Sequence, residues 1–365
     1  MSRILASLLL LYFSYISFSQ ENQITKFLRD SSMLHSSVSL CIIDSDSGKV
    51  IAQFNPETSL PQASILKLVT TAISIEKLGE EYKFRTIVGY TGRIKKGTLK
   101  GNIIIKGGGD PALGSENFPE CYNSFIDNWI QDIQTLGIRK ISGRVIADDS
   151  YFDFEPVPSG WGWDDIGNYY GAGAYGLSVF DNTLKIHFKT EEKGSFPLIT
   201  SILPEGTGID LKNDLTASGS SDNGYIFSAP YSYKGWISGT IPENKEDFIL
   251  KGSIPDPPLF LAKTLDKQLR AKRIKIKAYP LSIRMNPELK NDSLTLISET
   301  ISPPLSSIIE VLNHKSVNLY AEHLIKELGK SFKNSGSTAA GAEVIREYLD
   351  SVGIRTDGMF IADGS

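Results

Sequence analysis

The chain has 365 residues, of which 41% are hydrophobic, 22% charged and 10% aromatic. That is the composition of a globular protein with one large or two to three smaller domains, and it excludes disordered, collagen-like and disulfide-scaffold chains. Lysine and arginine number 38 against 42 acidic residues, a net charge of −4, so no basic excess exists to hold a phosphate backbone and nucleic acid is excluded as a main partner.

At the N-terminus, Arg3 precedes the apolar run Ile4 to Phe13, and the small residues Ser17 and Ser19 come before Gln20. This predicts a signal peptide over residues 1–19, cleaved near Ser19–Gln20. The apolar core is short for a spanning helix, and no later run is long enough to cross a bilayer. The expected product is a secreted or periplasmic protein of the cell envelope with no integral membrane segment. Such a compartment permits disulfides, but nothing in the sequence brings Cys41 and Cys121 together. Two buried or lone thiols are expected, and the absence of Cys/His spacing predicts no metal site. His35, His187, His314 and His323 are scattered and read as surface or packing residues.

Residues 37–43 and 50–54 are β-rich runs joined by Asp44-Ser-Asp-Ser-Gly-Lys49, the turn chemistry of a hairpin. After an extended link, a helix is expected from about Ser64 to Leu78, stopped by Gly79. Its apolar positions occupy too much of the circumference for a surface helix, so it is expected to be buried. From about Lys83 to Ser282 short β-rich runs alternate with Gly-rich turns. Lys106-Gly-Gly-Gly-Asp-Pro111 is such a turn, since no Gly-Lys-Ser/Thr follows to make a phosphate loop. Helices return at Pro304 to Leu312, Val317 to Leu328 and Ala339 to Val352.

No Gly-x-Ser-x-Gly, His-Glu-x-x-His or metal cluster occurs. Ser64-Ile-Leu-Lys67 remains. On a helix, positions i and i+3 share a face, so Lys67 can reach the Ser64 hydroxyl, and burial favours the neutral amine that can take its proton. The helix start supplies N–H groups for developing negative charge. Ser74-Ile-Glu-Lys77 has the same spacing but lies mid-helix, and Ser74 is read as structural. For a second element there are two candidates. Ser221-Asp-Asn223 lies on a Gly/Ser-rich hairpin tip, a poor scaffold for a rigid site. Ser316-Val-Asn318, at the junction of two helices, is preferred.

Ser-x-x-Lys followed by Ser-x-Asn on an interhelical junction resembles the active-site pattern of penicillin-recognising serine enzymes. Val38 to Gly48, Leu60 to Ala72, Gly107-Gly-Gly-Asp-Pro111, Gly143 to Ser150 and Lys315-Ser-Val-Asn-Leu-Tyr-Ala-Glu322 narrow it. Together they are similar to the class C low-molecular-weight penicillin-binding proteins, the D-alanyl-D-alanine carboxypeptidases/endopeptidases of peptidase family S13. The resemblance covers essentially all of the mature chain. It implies an α/β (α+β) fold: a serine β-lactamase/transpeptidase-like domain, an antiparallel sheet flanked by helices, with a large β-rich insertion. The catalytic domain is expected over 20–86 and 283–365, with the insertion at 87–282, in the long gap between Ser64 and Ser316.

The resemblance also implies roles. Ser64 attacks the penultimate D-alanine carbonyl to form an acyl-enzyme, Lys67 is the base, Ser316 relays a proton, and Asn318 hydrogen-bonds the substrate peptide. Peptidoglycan stem peptides are the implied substrates, β-lactams the covalent inhibitors, and no cofactor is needed. The alternatives are a β-lactamase, against which the long insertion argues, and a non-catalytic envelope binding protein of the same fold. The family's Lys-Thr/Ser-Gly motif occurs nowhere in the 365 residues, and Asp363-Gly-Ser365 resembles the turn that precedes it. The expectation is that the reading frame continues past Ser365, and that the chain as given is impaired. The aromatic stretch around Trp161, Trp163, Tyr169 and Tyr170 is read as packing in preference to a substrate wall, and Asp148 and Asp149 stay outside the catalytic list.

Overall fold

The computed structural model describes residues 24–290 and 293–365, so the signal-peptide segment lies outside the described residues. They fall into two compact units that meet in the sequence between Ala63 and Ser64. In the first unit, strands Leu40–Ile43 and Val50–Phe54 form the expected antiparallel hairpin. Its turn is closed by Asp44, whose carboxylate accepts the Ser47 N–H at 2.8 Å, and by Gly48 at φ +67°. Cys41 and Cys121 are lone thiols, as expected, and both are exposed.

The second unit is a mixed α/β assembly. Its largest sheet has five strands in the order Leu281–Ser282, Val145–Asp148, Ile103–Lys106, Arg85–Tyr90, Thr295–Ile301. The first three run parallel and the other two pairings are antiparallel, so this sheet is mixed. Ile103, Ile104, Ile105, Val145, Ile146 and Ala147 are all buried. A strand covered on both faces reads as a continuous apolar run, which is how these two read. The β-rich run Leu99 to Lys106 is shared between two strands, because the chain turns at Gly101-Asn102 into a different sheet.

The second unit also holds two three-stranded sheets. In one, strand Lys234–Ile241 lies between Asp210–Ala217, to which it is parallel, and Asn223–Phe227, to which it is antiparallel. The Ser218-to-Gly224 segment is therefore a crossover and not a hairpin tip, because its two flanking strands never pair.

Six longer helices complete the unit: α1 (Leu66–Leu78), α2 (Phe125–Thr135), α3 (Pro257–Ala271), α4 (Leu305–Lys315), α5 (Asn318–Lys333) and α6 (Thr338–Ser351). Helix α3 was not foreseen, although Asp256-Pro257-Pro258 is a start signal: the Asp256 carboxylate caps the Leu259 N–H at 3.1 Å. A short helical turn, Pro119–Tyr122, is separated from α2 by Ser124, which sits at φ +59°. Helix α5 is buried from Leu319 to Gly329 and packs between α1 and α6.

Helix α1 differs from expectation. Lys67, Thr70, Thr71, Ile73 and Ser74 are its buried residues, whereas Leu68 is largely exposed. The buried face is mostly polar: Lys67 and Thr70 donate to the carbonyls of Ser365 and Gly364, whereas the hydroxyls of Thr71 and Ser74 donate back to carbonyls of α1 itself.

Candidate active site

Ser64 sits in the 3-10 turn Ala63–Ile65 that leads into α1, and not in the α-helix proper. Tight turns of this kind are common at helix starts. Ala63 beside it adopts φ +48°, a left-handed conformation that a non-glycine residue holds only under constraint. The Ser64 side chain is exposed and Lys67 is buried. The Lys67 Nζ donates to Ser64 Oγ at 3.0 Å and to the Ser365 carbonyl at 2.9 Å. Burial pulls the Lys67 pKa below its ordinary value, while the carboxylates of Glu322 and Asp363 push the other way.

Residues 363–365 line this site through a chain of hydrogen bonds. Glu322 Oε1 accepts the Gly364 N–H at 2.9 Å, and the Gly364 carbonyl accepts the Thr70 hydroxyl at 2.8 Å. Asp363 accepts the Trp161 Nε1–H at 3.1 Å and the Ser365 N–H at 2.9 Å. The fit depends on glycine at 364, since a Cβ there would lie 2.5 Å from the Ala321 carbonyl oxygen.

Ser316 ends α4 at φ +54°, and its N–H bonds the Leu312 carbonyl, leaving the exposed side chain on the bend into α5. The Asn313 amide, one turn earlier, donates to the Thr71 hydroxyl at 3.3 Å and ties this bend to α1 one turn beyond Lys67. Asn318 opens α5, and its Nδ2 donates to the Tyr170 carbonyl at 2.9 Å. Among the described residues, hydrogen bonds join Ser64 to Lys67 but do not join Ser316 to either. The decoy behaves as expected: Ser74 is buried and its hydroxyl donates back to the Thr70 carbonyl at 2.7 Å, while the Lys77 ammonium lies over the Phe332 ring.

Sequence reasoning missed Glu322, Asp363, Thr70 and Asn313. The available signal was the i, i+4, i+8 spacing of Asn318, Glu322 and Lys326, which puts three polar side chains on one face of α5. Burial raises the Glu322 pKa to about 8, and that of Lys326, one turn further on, is lowered to about 8. Asp148 and Asp149 are both buried beneath the surface, with Asp149 accepting from Ser282 and raised to about 7 by burial, so neither is an exposed turn acid. Trp161 and Tyr170 touch the site, whereas Trp163 and Tyr169 face solvent.

Residues 20–365 match the profile of the D-Ala-D-Ala carboxypeptidase 3 (S13) family. The chain belongs to that family. It is 22% identical over 331 residues to "D-alanyl-D-alanine carboxypeptidase DacB" of Haemophilus influenzae, covering 87% of this chain and 64% of that protein. It is likewise 22% identical over 356 residues to the "D-alanyl-D-alanine carboxypeptidase" of Actinomadura sp. (strain R39), covering 94% and 63%. This S13 chain thus spans just under two thirds of the length of these curated relatives. Its fold matches the crystal structure of penicillin binding protein 4 (dacB) from Haemophilus influenzae with a TM-score of 0.72 at 21% identity, over 87% of this chain and 68% of that one. Among the described residues no group of three or more His, Cys, Asp or Glu side chains is placed to hold a metal ion, and no helix is long and apolar enough to cross a membrane.

Proposed function

We propose that this S13 protein is a serine D-alanyl-D-alanine carboxypeptidase/endopeptidase that trims peptidoglycan stem peptides in the cell envelope and is acylated by β-lactams. One observation carries the reading: a buried lysine amine, whose charged form burial disfavours, is 3.0 Å from the oxygen of an exposed serine. A neutral Lys67 amine takes the Ser64 proton as Oγ bonds to the carbonyl carbon of the penultimate D-alanine. The Ser64 N–H, at the start of α1, is placed to stabilise the oxyanion. As the C–N bond breaks, the proton held by Lys67 passes through the Ser316 hydroxyl to the leaving nitrogen. Asn318, its amide N–H₂ already bound to Tyr170, offers its carbonyl oxygen to the substrate's peptide N–H. Water then adds to the ester and releases Ser64 and the shortened peptide.

We assign the Ser64 helix and α4 to α6 to the catalytic domain and residues 87–282 to an insertion, and we place the protein in the secreted or periplasmic space after cleavage of residues 1–19. The test is release of free D-alanine from a synthetic stem pentapeptide by the purified complete gene product. Release that Ser64→Ala abolishes is expected. Release undiminished in Ser64→Ala refutes the assignment. Absence of release together with rapid penicillin hydrolysis would make the protein a β-lactamase.

A further inference from the structure

Strand alternation gives the sheet of Asp210–Ala217, Lys234–Ile241 and Asn223–Phe227 two unlike faces. Leu215, Ile226, Ile237 and Ile241 are buried on one. The other carries Trp236, with Phe227 its cross-strand partner, and Tyr225, paired with Ser238. The Phe227 and Trp236 rings stack at 5.1 Å and 12°. Trp163 extends the row, its ring 6.1 Å from that of Trp236 and tilted by 50°. Trp163, Trp236, Tyr169 and Tyr225 remain between 41% and 52% exposed. Two of the four tryptophans of the chain thus lie side by side in water, where large rings carry the greatest penalty.

The row is rigidly held. Buried Asn168 accepts the Ile226 N–H at 3.1 Å and donates to the Asp164 carbonyl at 2.6 Å, fixing the turn that bears Trp163 onto the sheet. Gly167 allows that approach, since a Cβ there would meet the Ile226 carbonyl oxygen at 1.9 Å. The same segment reaches the candidate active site at both ends, through Trp161 to Asp363 and through Tyr170 to Asn318.

We propose that this aromatic row is a binding platform for a pyranose polysaccharide, the glycan strand that carries the peptide to the site. Only the identity of that polymer rests on the proposed activity. A pyranose ring has an apolar C–H face bordered by hydroxyl groups. Here Trp236, stacked on Phe227, and the tilted Trp163 beside it offer partly exposed ring surface bordered by short polar groups, with Ser238 beside Tyr225, and Asp164 beside Trp163. Acids and bases alternate nearby, as in the Lys212–Asp214 pair at 2.8 Å, so the face suits an uncharged chain and not a polyanion. A lipid or an amphipathic helix needs a continuous apolar surface, which the interleaved polar residues interrupt.

The test uses chitohexaose, a peptide-free N-acetylglucosamine chain, titrated into the complete gene product and followed by calorimetry and tryptophan fluorescence. Saturable binding is expected, weakened about tenfold or more by Trp163→Ala and by Trp236→Ala, and largely kept by Trp163→Phe. An unchanged melting temperature in Trp163→Ala guards against misfolding. Ser64→Ala should bind the saccharide like wild type, so loss of the enzymatic reading leaves this result intact. No binding by wild type, or equal binding by both alanine variants, overturns the proposal. Self-association that Trp163→Ala abolishes, without saccharide binding, overturns it in favour of a second copy of the chain.

Discussion

Lys67 can act as a base only while uncharged, and burial shifts it in that direction by stripping the ammonium of its hydration shell. Lys67→Arg is expected to lose β-lactam acylation by a factor of about a hundred or more, because a guanidinium keeps its proton near neutral pH. Stopped-flow acylation rates decide this, and a near-normal rate places the base elsewhere. The pH profile has a fixed sign: acylation falls as pH drops through the lowered Lys67 pKa, since the protonated amine cannot accept the serine proton. Ser74→Ala should acylate normally, because that hydroxyl serves the helix backbone. Ser64 and Lys67 were legible in the sequence because their contact is local, three residues apart on one face. Glu322, Asp363 and Thr70 were not, because their partners lie 42 to 294 residues away and only the packed chain brings them together.

At the level of elements, α5 does most to position the site, and it does so with buried titratable side chains. On its inner face Glu327 accepts hydroxyl protons from Tyr82, Tyr151 and Ser331 at 2.8, 3.1 and 2.8 Å. Removing the acceptor strands three hydroxyls, each costing a fraction of its desolvation. Glu327→Ala is expected to destabilise the fold by about 3 kcal/mol, and Glu327→Gln by less, because the amide oxygen still accepts. Urea unfolding measures both, and an alanine variant as stable as wild type contradicts the account. The sequence showed α4, α5 and α6 to within a few residues, since their apolar periods are long. It did not reveal α3, where two prolines masked the helix start, nor that α1 hides a polar face. Apolar periodicity reports apolar burial, and Thr70, Thr71 and Ser74 are buried through hydrogen bonds.

On the scale of the whole molecule, the mixed α/β class and the family follow from the spacing of motifs, but the sheet order does not. The pairing of Arg85–Tyr90 with Thr295–Ile301, and the parallel entry of Lys234–Ile241 between its neighbours, depend on contacts that no local pattern encodes. Stability should carry a pH signature from buried acids. Burial raises Asp149 from 3.8 to about 7, so the folded state holds a proton that the unfolded chain releases. Its contribution is fully present below pH 4 and lost as pH rises towards about 7. Asp149→Asn is therefore expected to gain stability relative to wild type as pH climbs through that window, which thermal melts at pH 4 and pH 7.5 can read. A constant difference would mean that Asp149 is ionised in the fold. The central claim is that Ser64 is an acylating nucleophile. Its most direct test is mass spectrometry of the complete gene product after incubation with benzylpenicillin, followed by peptide mapping. The account predicts a mass increase equal to one intact penicillin, located on Ser64 and absent from Ser64→Ala. An adduct on Ser74, or one that survives Ser64→Ala, would contradict it.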